Sequence, residues 1–280
     1  EIDRGHGFEG QYVYLDLRHL GAEKIKKRLP AIREISINFA GIDPIDKPIP
    51  IQPAQHYSMG GIDIDEKCAS PVKGFFAAGE CASVSVHGAN RLGGNSLLDT
   101  VVFGRIAGEE ASSFVRESDE GRSAEEALLD DALKTKTRID GWMGKDKGVK
   151  VYLLMNRLKV IMSDKVGIFR NKKDLENALE EIHGLQEEYR RVYLSGKNLR
   201  FSQELVNIVE FESMLDLAEV IALGALNREE TRGSHYRMEF PKRNDARWLK
   251  HTLISLKNGR PQIAYRDVKI EKYQPEERKY

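Results

Sequence analysis

The stretch that most constrains this chain runs from residue 74 to residue 111. An apolar run, Gly74-Phe75-Phe76-Ala77-Ala78, stops abruptly at Gly79 and Glu80, and a polar, glycine-rich loop follows from His87 to Ser96. Leu97 to Ala111 then carries a helical period, with Leu98, Val101, Val102, Ile106 and Ala107 on one apolar face. The first piece reads as a short, fully buried strand. A buried strand, a glycine loop and a helix N-terminus in series predict an α/β layer that presents main-chain N–H groups to something anionic and flat.

The residue types fit a flavin. A carboxylate at a strand end, Glu80, can accept hydrogen bonds from ribityl hydroxyls. Gly93 and Gly94 let backbone approach a ring that a Cβ would block. Ser96 and the N–H groups that open the helix at Leu97 face the pyrimidine end. There the helix dipole stabilises the negative charge of a reduced flavin by about 0.3–1 kcal/mol, and by up to ~2 kcal/mol when partly buried.

Composition excludes several other classes. Lys plus Arg and Asp plus Glu both number 44 in 280 residues, so nothing suggests nucleic-acid binding or electrostatic anchoring to anionic lipid. No apolar run approaches the ~20 residues of a membrane span, and no signal-peptide pattern is present. Cys68 and Cys81 lack metal-ligand spacing and read as two buried thiols in a reducing compartment. No G-x-G-x-x-G follows a strand with an acidic residue about twenty positions on, the fingerprint for the adenosine diphosphate half of FAD.

Along the chain, a glycine-rich turn precedes the strand Tyr12–Leu17, and a helix is expected over Ala22–Phe39, bent at Pro30. Pro44, Pro48, Pro50 and Pro53 predict an extended crossing that ends at His56. Ser112 to Glu126 reads as a solvated linker. Three apolar stripes follow at helical spacing: Val151, Leu154, Met155, Leu158, Ile161 and Met162; Leu175, Ala178, Leu179, Ile182, Leu185, Tyr189 and Val192; and Leu205, Ile208, Val209, Leu215, Ala218 and Ala222. Such stripes predict an antiparallel helical bundle without chemistry of its own. Arg228 to Arg237 is crowded with charge and predicts a buried ion-pair network tying the bundle to the flavin layer, with a role at the site as the alternative. Asn258-Gly259 between His251–Leu256 and Gln262–Ile270 predicts a β-hairpin, over a bundle edge or against a partner subunit.

Two side chains stand out. From composition a lone histidine such as His56 is more often structural than functional, although it precedes the double glycine Gly60-Gly61. Arg91 reads either as a loop arginine paired with Glu80 or Asp99, or as a planar fork gripping a dicarboxylate bidentately. His87 reads as packing under the glycine loop, with contact to substrate or flavin as the alternative.

HYSMGG, then GFFAAGECASVSVHGANRLGGNSLLD, with VYLDLRHLG upstream and REETRGSHYR and WLKHTL downstream, resembles the flavoprotein subunit of succinate dehydrogenase and fumarate reductase. The resemblance implies an α/β flavin-binding domain (its C-terminal part, 47–112) after the end of an α+β capping domain (1–46). A helical bundle (113–243) and a hairpin tail (244–280) follow. It implies FAD as cofactor, Glu80, Ser96 and Leu97 as cofactor-binding residues, and His56 and Arg91 as substrate-binding residues. The family's proton-donating arginine is expected upstream of Glu1, with Arg4 and Arg18 only as substitutes in the wrong motif. Succinate–fumarate interconversion, an iron–sulfur partner subunit, a quinone-binding membrane anchor reached through it, and the N-terminal FAD-binding half of the same subunit complete the expectation. So does a peripheral place on the cytoplasmic face of the membrane. Rivals are an L-aspartate oxidase-like flavoenzyme and a non-catalytic docking module.

Overall fold

The protein is described by a computed structural model covering residues 2–118, 125–196 and 198–276. It divides into two compact units, Glu1–Ser58 and Met59–Tyr280.

In the first unit, β1 (Val13–Leu15) pairs antiparallel with β2 (Ile49–Ile51), so the proline-rich segment contributes a short strand as well as a crossing. The helix expected over Ala22–Phe39 is two helices, α1 (Ala22–Arg28) and α2 (Pro30–Ile35), followed by a wide turn over Ser36–Ala40. Proline excludes the residue before it from the helical region, and Leu29 sits at φ −129°, ψ 40°. Pro30 then starts α2, where its missing N–H costs nothing. Ile25 is fully buried, while Phe39 is 87% exposed. Arg33 and Asp43 close the unit with a part-buried bidentate pair.

The second unit opens with β3 (Ile62–Asp63), which pairs in parallel with β4 (Ala82–Ser83). Residues 74–80 do not form the expected strand. Phe76 makes one isolated bridge to Ala69, and Gly79–Cys81 is a single 3-10 turn. Ala78 is extended, but among the described residues no strand lies alongside to complete a ladder, and Phe75 is 47% exposed. Helix α3 (Asn95–Glu117) is longer than expected and takes in the first part of the presumed linker, whose residues 119–124 lie outside those described.

Helices α4 (Glu125–Met143), α5 (Val151–Lys165), α6 (Lys172–Tyr189) and α7 (Gln203–Asn227) share the larger apolar core, centred on Leu154, Leu158, Leu175, Ile182, Leu185, Ile208, Phe211 and Leu215. Asn171 and Ser202 cap α6 and α7 by accepting from Asp174 and Leu205 N–H. On α7 the buried stripe runs 208, 211, 215, 218, 222, 225, so Phe211 belongs to it and Val209, 47% exposed, does not. The short α8 (Asp245–Trp248) leads into β5 (Lys250–Lys257) and β6 (Arg260–Asp267), an antiparallel hairpin whose turn is Asn258-Gly259 with φ 53° and 71°. Both turn residues sit in the left-handed region that a two-residue hairpin requires. Ile254 packs over Gly224 of α7, while Arg266 pairs with Asp63 at 2.6 Å and His251 Nε2 lies 3.0 Å from Ser85 Oγ. The hairpin therefore joins the end of α7 to the β3–β4 layer. Among the described residues no helix is long and apolar enough to cross a membrane.

Candidate active site

Four of the five residues singled out from the sequence stand in the second unit around the N-terminus of α3. Gly94 caps that helix at φ 83°, ψ −21°, with no side-chain cap and no acidic residue in the first turn. The first N–H groups of a helix have no carbonyl of their own helix to reach, so those of Ser96 and Leu97 point out of the N-terminal end. A Cβ built on Gly88, Gly93 or Gly94 meets nothing within 4 Å, and Leu97 is 74% exposed. The loop and helix end thus leave main-chain N–H groups in open space with positive dipole character. A flat anionic group can approach there, and these residue types suit a flavin.

Glu80 lies on the 3-10 turn Gly79–Cys81 and is exposed. That turn rests on α3: a Cβ on Gly79, at φ +77°, would stand 3.4 Å from Thr100 Oγ1. The structure thereby brings Glu80 to the first turns of α3, on a turn rather than at a strand end. Arg91 is half-buried three residues before the cap, and its Nη1 donates to the Leu92 carbonyl at 2.9 Å. Asp99, one of the two acids proposed to pair with it, is 5% exposed and takes His87 Nε2 at 2.8 Å. His87 therefore anchors the loop to α3. His56 is exposed and belongs to the other unit, Glu1–Ser58.

The apolar face read from the sequence is rotated. Phe103, Ile106 and Ala107 pack on the small core of Ile64, Cys68, Ala77 and Ala82, whereas Leu98, Val101 and Val102 are 62%, 71% and 48% exposed. Asp99 shares the buried face with Phe103 and Ile106 at helical spacing, and a carboxylate inside an apolar stripe is the signal that could have found it. The thiols also differ: Cys68 is buried and Cys81 exposed. Burial pushes the Cys68 thiol up. Arg18, one suggested substitute proton donor, is held by Asp16 through Nε and Nη2 at 2.9 and 2.8 Å; the Arg4 side chain lies outside the described residues.

Behind the loop stands the charged segment. Glu230 is fully buried and accepts from Arg228, Arg232 and the Asn244 N–H. Burial alone would raise its carboxyl, but those hydrogen bonds prevail and hold it below the usual carboxylate range. Arg237, 1% exposed, donates to the Ala225 and Leu226 carbonyls at 2.8 Å and so closes the C-terminal end of α7. Ser234 donates from N–H and Oγ to the Ala89 carbonyl, both at 2.9 Å. The network therefore ties the bundle to the glycine loop.

A domain model described as the FAD binding domain matches residues 1–97, which makes the chain part of a flavoprotein. A second, described as the fumarate reductase flavoprotein C-terminus, matches residues 155–280. The chain belongs to the family of fumarate reductase and succinate dehydrogenase flavoprotein subunits. It is 42% identical to the fumarate reductase flavoprotein subunit of a Serratia species over 97% of this chain and 46% of that one. The 8-methylmenaquinol:fumarate reductase flavoprotein subunit of Wolinella succinogenes is also 42% identical, over 99% of this chain and 45% of the relative. A solved Escherichia coli quinol fumarate reductase flavoprotein superposes with TM-score 0.89 at 38% identity, covering 95% of this chain and 46% of that one. The chain spans just under half the length of these relatives.

Proposed function

We propose that this chain forms part of a flavin-dependent enzyme that interconverts succinate and fumarate on FAD and exchanges electrons with an iron–sulfur partner subunit. The supporting observation is the open space at the uncapped N-terminus of α3, three residues after Arg91. Glu80 would hold ribityl hydroxyls, and the Ser96 and Leu97 N–H groups would hold the pyrimidine end, where the helix dipole favours negative charge by about 0.3–1 kcal/mol. FAD, when bound, supplies hydride exchange with a substrate carbon.

Arg91 binds one carboxylate of the diacid. Its planar fork matches a carboxylate bidentately, which lysine cannot copy, and each charge-assisted bond contributes about 1.5–3 kcal/mol. His56 is the second substrate-binding residue of the proposal. A carboxylate held out of the alkene plane loses conjugation, and the distal carbon becomes the more electrophilic one. Fixing the diacid in that orientation lowers the entropic part of the barrier.

The finer architecture belongs to the same proposal: the end of a lid over residues 1–46, the C-terminal part of the flavin domain over 47–112, an antiparallel bundle over 113–243 and the hairpin tail beyond. The exposed Leu97, Leu98, Val101 and Val102 suit packing by the N-terminal FAD-binding half of the subunit. A quinone-binding membrane anchor, reached through the iron–sulfur partner at the cytoplasmic membrane face, completes the assembly.

The test is Arg91→Lys in the assembled enzyme. Succinate oxidation should fall at least a hundredfold while flavin content stays at the wild-type level; near-normal turnover would overturn the assignment. Fast reoxidation of the reduced flavin by oxygen without any partner would favour an aspartate oxidase-like enzyme instead.

A further inference from the structure

We infer that the Gly233-Ser234 turn positions Arg91 for its substrate by pinning the Ala89 carbonyl two residues before it. The inference rests on the reading of Arg91 as a dicarboxylate ligand.

The loop from residue 84 to residue 94 has no regular structure, so its shape depends on what holds it from outside. His87 is tied to Asp99 and Ser85 to His251. Closest to Arg91 is the Ala89 carbonyl, which accepts two hydrogen bonds from one residue, Ser234 N–H and Ser234 Oγ, each at 2.9 Å. Two donors converging on one oxygen fix its direction as well as its place. Gly233 makes the approach possible. It has φ +58°, and a Cβ there would fall onto the Ala89 carbonyl and stand 2.8 Å from Ala89 Cβ. Only glycine lets the two backbones come this close.

The turn is itself fixed from three sides. Arg232 N–H donates to the His235 carbonyl at 2.8 Å and His235 N–H to the Arg232 carbonyl at 3.0 Å, closing a two-residue hairpin around Gly233 and Ser234. The Arg232 side chain is clamped by Glu230 Oε1 at 2.7 Å and Asp245 Oδ1 at 2.5 Å. His235 Nδ1 lies 3.0 Å from Arg170 Nη1 and its Nε2 3.1 Å from the Arg228 carbonyl. A guanidinium has only donors and a carbonyl only lone pairs. The ring is therefore neutral, with Nδ1 accepting and Nε2–H donating. One orientation satisfies both partners, and it sets the direction in which the turn leaves the bundle. Arg170 in turn donates through Nε to the Val166 and Gly167 carbonyls at the end of α5. Rigid helices thus reach the substrate arginine through a short chain of contacts, none of which needs to touch substrate or flavin.

Calorimetric titration of the assembled holoenzyme with malonate, a three-carbon diacid, tests this. Gly233→Ala should raise the malonate Kd tenfold or more with flavin content unchanged. Ser234→Ala, which loses one of two hydrogen bonds, should raise it about fivefold, and Ser234→Thr should restore it. Turnover at saturating succinate should stay within about twofold in the Ser234 variants, because a misaimed arginine weakens capture more than chemistry. If Gly233→Ala fails to fold, the exposed Ser234 pair of variants decides the matter. Wild-type malonate affinity in Ser234→Ala, with or without a lowered Tm, would overturn the positioning role alone. Failure of the wild-type enzyme to bind malonate would overturn the dicarboxylate reading along with it.

Discussion

Replacing Glu230 by glutamine should destabilise the second unit far more than removing any surface charge. The Glu230 carboxylate is fully buried and accepts from Arg228 Nε and Nη2 at 3.0 and 2.6 Å, from Arg232 Nε and Nη2 at 2.7 and 3.0 Å, and from Asn244 N–H at 2.9 Å. Glutamine keeps the shape but removes the charge, and its NH2 group meets donors where it needs acceptors. Breaking a buried pair from one side costs about 3–5 kcal/mol. Here Arg228 keeps the Trp248 and Lys250 carbonyls and Arg232 keeps Asp245, so the expected loss is at the lower end, about 3 kcal/mol. For a unit of this size that lowers Tm by roughly 6–12 °C. The comparison variant is Glu109→Gln. It breaks the Arg105–Glu109 pair, whose side chains are 79% and 62% exposed, and should cost below about 1 kcal/mol. Thermal unfolding followed by tryptophan fluorescence reads both, because the Arg228 guanidinium lies 5.5 Å from the Trp248 ring. A Glu230→Gln shift no larger than that of Glu109→Gln would refute the reasoning that the buried charge network ties the unit together.

Two further outcomes are expected. Burial among Arg170, Arg228 and Arg237 pushes the His235 imidazole down to about 4. Between that value and the unfolded ~6.5 the unfolded chain binds a proton that the folded one does not, so stability falls as pH falls through this window. The loss should be about 2 kcal/mol from pH 7 to pH 5 in urea unfolding, and it should flatten in His235→Asn; an unchanged slope would count against a buried neutral imidazole. In the assembled enzyme His56→Ala should raise the inhibition constant of malonate about tenfold or more, the order expected for loss of a charge-assisted bond, and an unchanged constant would remove His56 from the substrate site.

Much of this was legible in the residues. The Asn258-Gly259 pair requires two left-handed residues, and β5 and β6 pair around it in that register. The stripes at residues 151–162 and 175–185 bury the side chains that their spacing groups together. Helix-versus-strand reading was weakest where a segment depends on partners distant in sequence. Residues 74–80 are apolar like a central strand, yet with no strand alongside among the described residues they form a bridge and a turn. The buried face of α3 was misjudged for a related reason. Leu98, Val101 and Val102 share a helical period with Ile106 and Ala107, but the face that meets the Ile64–Ala82 core turns through Phe103, Ile106 and Ala107. Ser234 was missed because it works through one distant acceptor, the Ala89 carbonyl, that no local pattern announces, whereas Asp99 was read only as a partner for Arg91 and holds His87 instead.

The central claim is that the space over Gly93 and Gly94 at the start of α3 receives a flavin. Gly93 does not need a left-handed backbone, and a Cβ there meets nothing within 4 Å. Gly93→Val should therefore leave fold and Tm intact while the branched side chain occupies the ring's place. The measurement is the flavin-to-protein absorbance ratio of the purified assembled enzyme. A ratio below roughly a tenth of wild type, from a loss of a few kcal/mol of cofactor binding, is the expected result. A fully loaded Gly93→Val enzyme would contradict the account.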